Sequence, residues 1–123
     1  MHEMGLMAGV LEVVHESAVE NHIKDVTVVR LRVGKLNGAL PDALEFAFEA
    51  LRADWQEIKQ AELVIESVPG RMVCLECGLD QEVSEFGVEC VSCGSWVTEV
   101  RSGTEFEIVG YEGFPSEERG QAS

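Results

Sequence analysis

With 123 residues, 46% hydrophobic and 26% charged, the chain can bury one modest core and carry a metal-held lobe beside it. Its net charge of −14 repels phosphate backbones and favours cations or basic partner surfaces. No stretch is long and apolar enough to span a bilayer, so nucleic-acid and membrane roles are set aside.

The chain opens Met1-His2-Glu3. Methionine is trimmed when the next residue is small, so bulky His2 is expected to leave Met1 in place with a free α-amine. That amine, the His2 amide nitrogen and the His2 imidazole can close adjacent chelate rings in one plane, with a fourth donor from the amide of Glu3 or elsewhere. An all-nitrogen planar set suits Ni(II) or Cu(II), and the general affinity order favours copper, so the donors alone do not choose the metal. Taken alone, a histidine at position two is more often a plain solvent-exposed side chain.

A helix follows at once, because Met4, Met7, Leu11, Val14 and Ala18 recur three and four apart, broadened by Leu6, Val10 and Val13, with Glu12, Glu16 and Glu20 outside. Met4 and Met7 are expected as core filler. His15 beside this stripe and His22 near the helix end are expected to be structural or surface residues. From Asp25 to Val33 the pattern changes to period two, with Thr27, Val29, Leu31 and Val33 on one face, which predicts a half-buried strand ending at the turn-rich Gly34-Lys35-Leu36-Asn37-Gly38. Pro41 starts a second helix, whose buried face is Leu44, Ala47, Phe48, Leu51 and Trp55. A second strand is expected over Glu62 to Val68, broken by Pro69-Gly70.

Two copies of a C-x-x-C-G knuckle come next, Cys74-Leu75-Glu76-Cys77-Gly78 and Cys90-Val91-Ser92-Cys93-Gly94, with twelve residues between Cys77 and Cys90. This is the spacing of an all-thiolate tetrahedral zinc site, in which the glycine after each pair takes a positive φ and no position is left for water. Such an ion shapes the protein and hydrolyses nothing. Two disulfides or a redox couple are the alternatives, but the N-terminus carries no signal-peptide pattern, and no thioredoxin-like strand and helix flank the thiols. The expected location is therefore the cytoplasm. From Met72 to Val100 there are acids and no lysine or arginine, unlike a nucleic-acid ribbon.

Behind the cysteines, Arg101-Ser102-Gly103 mirrors Pro69-Gly70, and Thr104 to Tyr111 reads as a third strand. The expected fold is α+β: two helices packed on a three-stranded sheet, with a zinc-ribbon-like lobe inserted on two hinges. The expected domains are residues 1–70 plus 101–112, a zinc lobe at 71–100, and a disordered tail at 113–123.

Met1-His2-Glu3 leading into the helix, Val29-Arg30-Leu31-Arg32-Val33-Gly34-Lys35-Leu36-Asn37-Gly38, Pro41-Asp42-Ala43-Leu44-Glu45-Phe46-Ala47-Phe48, the two knuckles and Ser102-Gly103 together resemble the HypA/HybF family of hydrogenase maturation proteins over nearly the whole chain. The resemblance implies a nickel metallochaperone. It implies nickel at Met1, His2 and Glu3, and a structural zinc on Cys74, Cys77, Cys90 and Cys93. It further implies work with the GTPase HypB, delivery to the large-subunit precursor of [NiFe]-hydrogenase and, in some members, service to urease maturation proteins. A zinc-ribbon adaptor acting only through protein contacts is the alternative. An enzyme is not expected, because the chain has no open zinc site, no phosphate-cradling glycine loop and no nucleophile with a paired base.

Overall fold

The structure, a computed structural model, describes residues 2–116. The expected ligand Met1 and positions 117–123 of the expected tail lie outside them. Among the described residues no helix is long and apolar enough to cross a membrane.

Helix α1, His2–Glu20, buries Met7, Val10, Leu11, Val14 and Ala18. The stripe is narrower than its sequence suggests: Met4 and Leu6 are half-buried, and Val13 is 53% exposed. The helix stops without a glycine. Asn21 donates its backbone and side-chain N–H groups to the Ser17 carbonyl, and His22 takes φ 58°, the left-handed conformation that usually ends a helix on glycine or asparagine.

Strand β1, Ile23–Gly34, buries alternate residues from Val29 through Leu31 to Val33. Helix α2, Pro41–Leu51, starts with proline where its missing N–H costs nothing and buries Leu44, Ala47 and Phe48. Its expected partners Leu51 and Trp55 are only half-buried, since the chain leaves the helix into a short 3-10 turn at Arg52–Asp54. Strand β2, Glu62–Val68, and the last strand of the chain, Phe106–Pro115, flank β1 in a three-stranded sheet. Beside β2, Arg32 meets Glu66 and the Lys35 N–H meets the Val68 carbonyl, so partners advance together and the strands run parallel, with α2 as the crossover that such a pair needs.

The chain between these strands holds a second three-stranded sheet that no periodicity in the sequence marks. Strand β3, Gly70–Cys74, pairs antiparallel with β4, Asp80–Val83, on one side and with β5, Thr98–Ser102, on the other. The last strand is therefore β6. It runs to Pro115, which corrects the expected tail boundary: residues 113–115 belong to a strand, and Gly113 lies so close to Asp25 that a Cβ would fall 2.3 Å from its carbonyl oxygen.

Two compact units emerge. Unit one takes the chain up to Leu31, Ala39–Ile65 and from Ile108 on; unit two takes Arg32–Gly38 and Glu66–Glu107. The expected lobe at 71–100 falls inside unit two, which reaches past it on both sides and draws in Arg32–Gly38. The core of unit one is Met7, Leu11, Val14, Val29, Leu31, Leu44, Phe48 and Ile58. That of unit two is small, with Leu36, Met72 and Val83 buried and Val88 against them.

Glycines at the base of unit two let main chains touch. A Cβ on Gly34 would sit 2.0 Å from the Gly103 carbonyl oxygen, and one on Gly103 (φ +110°) would sit 2.6 Å from the Gly70 Cα. Hydrogen bonds from the Gly34 N–H to the Glu105 carbonyl and from the Leu36 N–H to the Gly103 carbonyl, both 2.7 Å, fix that approach. Gly70 and Gly103, expected in hinges, both lie inside unit two and are required there for space.

Candidate metal centre

The two knuckles are built alike down to their hydrogen bonds. The Cys74 N–H donates to the Leu79 carbonyl and the Gly78 N–H to the Cys74 carbonyl; in the second copy the Cys90 N–H donates to Ser95 and the Gly94 N–H to Cys90, all at 2.8 to 2.9 Å. Gly78 and Gly94 close these turns at φ 82° and 75°, where a side chain is strained. Strand β3 delivers Cys74 directly, and its neighbour Leu75 is tied to the Val97 carbonyl. The second knuckle is braced by Gln81 on β4, whose side-chain oxygen accepts the Val91 N–H at 3.2 Å. Gln81 was invisible as a site residue in the sequence, because nothing in its spacing marks a cross-strand brace.

The four sulfurs converge. All lie within 4.8 Å of one another, with Cys74 to Cys93 and Cys77 to Cys90 both at 3.6 Å. A disulfide would need about 2.05 Å, and the four cysteines are free. A tetrahedral zinc with bonds of about 2.3 Å needs sulfurs about 3.8 Å apart, so the cage has the size of a Zn(II) thiolate site. Cys74 and Cys90 are buried and Cys77 and Cys93 exposed, which leaves a cage half inside the fold. Zinc held there would take all four thiolates and lock the turns together.

Ionisation of the thiols is uneven. The backbone N–H of Cys77 is the first cause that pulls Cys74 down to about 6, and that of Cys93 the first that lowers Cys90. Cys93 has the Ser95 N–H working to lower it, yet the adjoining Cys74 sulfur and burial push it up to about 12. Four sulfurs this close cannot all carry charge without a cation among them.

The N-terminal residues lie in unit one. His2 is exposed and Glu3 half-buried as the first two described residues of α1. The Glu3 carboxylate accepts the Leu40 N–H at 3.2 Å, at the N-cap of α2, and that N–H is the first cause that holds its pKa below the ordinary value. The Glu3 side chain therefore ties the start of α1 to the start of α2. His15 is paired with Glu57 and lies against Trp55, ring centroids 4.6 Å apart and planes tilted by 43°, and His22 ends a helix; neither joins the N-terminal segment. Among the described residues, the cysteines form the group of His, Cys, Asp or Glu side chains placed to hold an ion.

A family model described as hydrogenase/urease nickel incorporation, metallochaperone, HypA, matches residues 1–113. A hydrogenase maturation factor HypA of Geobacter metallireducens is 40% identical over 108 residues, covering 88% of this chain and 94% of that protein. One from Moorella thermoacetica is 38% identical over 113 residues, covering 92% and 99%. The fold is similar to the solution structure of the Ni metallochaperone HypA from Helicobacter pylori, with a TM-score of 0.65 at 20% identity over 93% of this chain and 98% of that one.

Proposed function

We propose, from the premise that the chain belongs to the HypA family of nickel-incorporation metallochaperones, that it binds Ni(II) at Met1, His2 and Glu3 and passes it to the large-subunit precursor of a [NiFe]-hydrogenase. It is a maturation factor and not an enzyme.

The observation that carries the nickel reading is the position of His2 and Glu3 in the first turn of α1. The first four N–H groups of a helix have no intrahelical acceptor. Neither the His2 nor the Glu3 amide is thus needed by the helix ladder; the Glu3 N–H turns to its own carboxylate, so a metal taking that nitrogen would displace only this local contact, and the exposed imidazole of His2 can turn toward the same ion. With the Met1 amine these are the nitrogens of a planar site suited to Ni(II). Glu3, tethered through its carboxylate to Leu40, would hold the segment in place while its backbone nitrogen serves. Such a site is shallow, and release to an acceptor needs no unfolding.

Zinc belongs in this reading to Cys74, Cys77, Cys90 and Cys93, where soft thiolates in a closed cage keep it apart from nickel. The partners of the cycle would be the GTPase HypB as source of energy for release, the hydrogenase precursor as acceptor and, where urease is served, its maturation proteins, all in the cytoplasm. The test is substitution of one residue. His2→Ala should abolish stoichiometric nickel uptake in equilibrium dialysis and leave one zinc per chain; a variant that still takes up a full equivalent of nickel at the same affinity would refute the assignment.

A further inference from the structure

Unit one carries a groove that neither metal explains. It is an open hollow of about 640 Å³ between α2 and the start of β2, with Phe46, Phe48, Ala61 and Leu63 as its apolar lining and Asp42, Glu45, Glu49 and Glu62 around them. Phe46 is 69% exposed, a large apolar side chain left in water on a helix whose other aromatic, Phe48, is buried. Its cation, Arg52, is already used: it is bonded to Glu49 at 2.8 Å, donates to the Ala61 carbonyl and lies 5.8 Å over the Phe48 ring. Asp42, Glu45 and Glu62 have no ion pair among the described residues.

We infer that this groove docks a basic segment of a partner protein, one in which lysines or arginines flank an apolar side chain that covers Phe46. The charges choose the occupant. A second copy of this chain, at net charge −14, would bring acid against acid. A bare metal ion is not the occupant, since these carboxylates do not converge as the cysteines do. Exposed Phe46 calls for an apolar partner atom as well as a cation, because covering an aromatic ring adds affinity that charge alone does not supply. The groove begins at Asp42, two residues after Leu40, whose N–H holds Glu3. One end of the groove is thus two residues along the chain from the contact that holds the N-terminal segment, and on the nickel reading above that is the delivery end. The docking surface itself does not depend on that reading.

The test uses the isotope-labelled full chain and short synthetic peptides, in both helix-forming and extended versions, in which Lys and Arg alternate with Leu. A control peptide has every Leu replaced by Ser, and spermine serves as a cation without side chains. The expected result is amide shifts confined to residues 42–52 and 61–63 with the Leu peptide, and binding at least about tenfold weaker with the Ser peptide and spermine. Phe46→Ser should bring the Leu peptide down to the Ser peptide's level, Phe46→Leu should restore it, and Glu45→Lys should weaken both peptides, all without loss of thermal stability because these side chains are exposed. Equal affinity for Leu and Ser peptides, shifts spread evenly over other acidic faces, binding insensitive to Phe46→Ser, or no shifts at millimolar peptide would each overturn the proposal. Nickel binding by the N-terminus is unaffected by either outcome.

Discussion

Gly34 shows how little freedom single residues have where the second unit starts. Its missing Cβ leaves room for the Gly103 carbonyl, which a methyl would meet at 2.0 Å, and the obstacle is backbone that cannot rotate aside. Gly34→Ala should therefore destabilise the chain by about 1–3 kcal/mol, the usual cost of overpacking, and thermal unfolding would read it. Glu3 supplies a second prediction. Its pKa lies below the ordinary value of 4.5, first through the Leu40 N–H and then through its own, so the ionised form favours the folded chain. Stabilisation from a depressed carboxylate is present above the ordinary value and lost as pH falls through the folded one. Glu3→Gln should melt below the parent at neutral pH, and the gap should close in acid; a gap that widens there would show that charge is not the cause. Neither contact could be read from the sequence, because each joins residues far apart in it. His22 was legible only as a helix-end residue: its left-handed backbone is a conformation that composition does not announce.

Elements divide by whether their signal is local. The helices and the three strands of the first sheet were legible because 3.6 and 2 are different periods, and Pro41 and Pro69 sit where proline stops or starts them. Strands β3 to β5 were not. They span four or five residues each, too short for alternation to register. The extension of β6 to Pro115 was hidden for a different reason: glycine and proline suggest a tail until the Gly113 contact with Asp25 is seen. The second sheet buries few side chains, and three apolar residues at roughly 1.5–3 kcal/mol each fall short of what ordering its loops costs. Structural zinc contributes an apparent 10–16 kcal/mol or so, so the metal decides. Cys90→Ser should leave zinc substoichiometric and collapse amide dispersion over residues 70–102, with the resonances of α1 and α2 retained. Full dispersion in that variant without zinc would mean that the sheet folds on packing alone.

At the level of the whole molecule, the proposed function would divide two metals by donor softness: sulfur in the cage for the ion that stays, nitrogen at the N-terminus for the one that leaves. The four ligands of the cage were legible from the sequence, since two C-x-x-C-G repeats carry their own geometry, while the Gln81 brace was not. The proposed N-terminal donor set was legible in the sequence, and the structure adds that His2 and Glu3 open α1. An acidic surface suits a carrier that must attract a cation and meet basic partners. The most direct measurement is native mass spectrometry of untagged chain titrated with Ni(II), beside the same chain acetylated at its α-amine. The free chain should carry one zinc and add one nickel, while the acetylated chain keeps its zinc and adds none. Equal nickel uptake by both, or none by the free chain, would contradict the account.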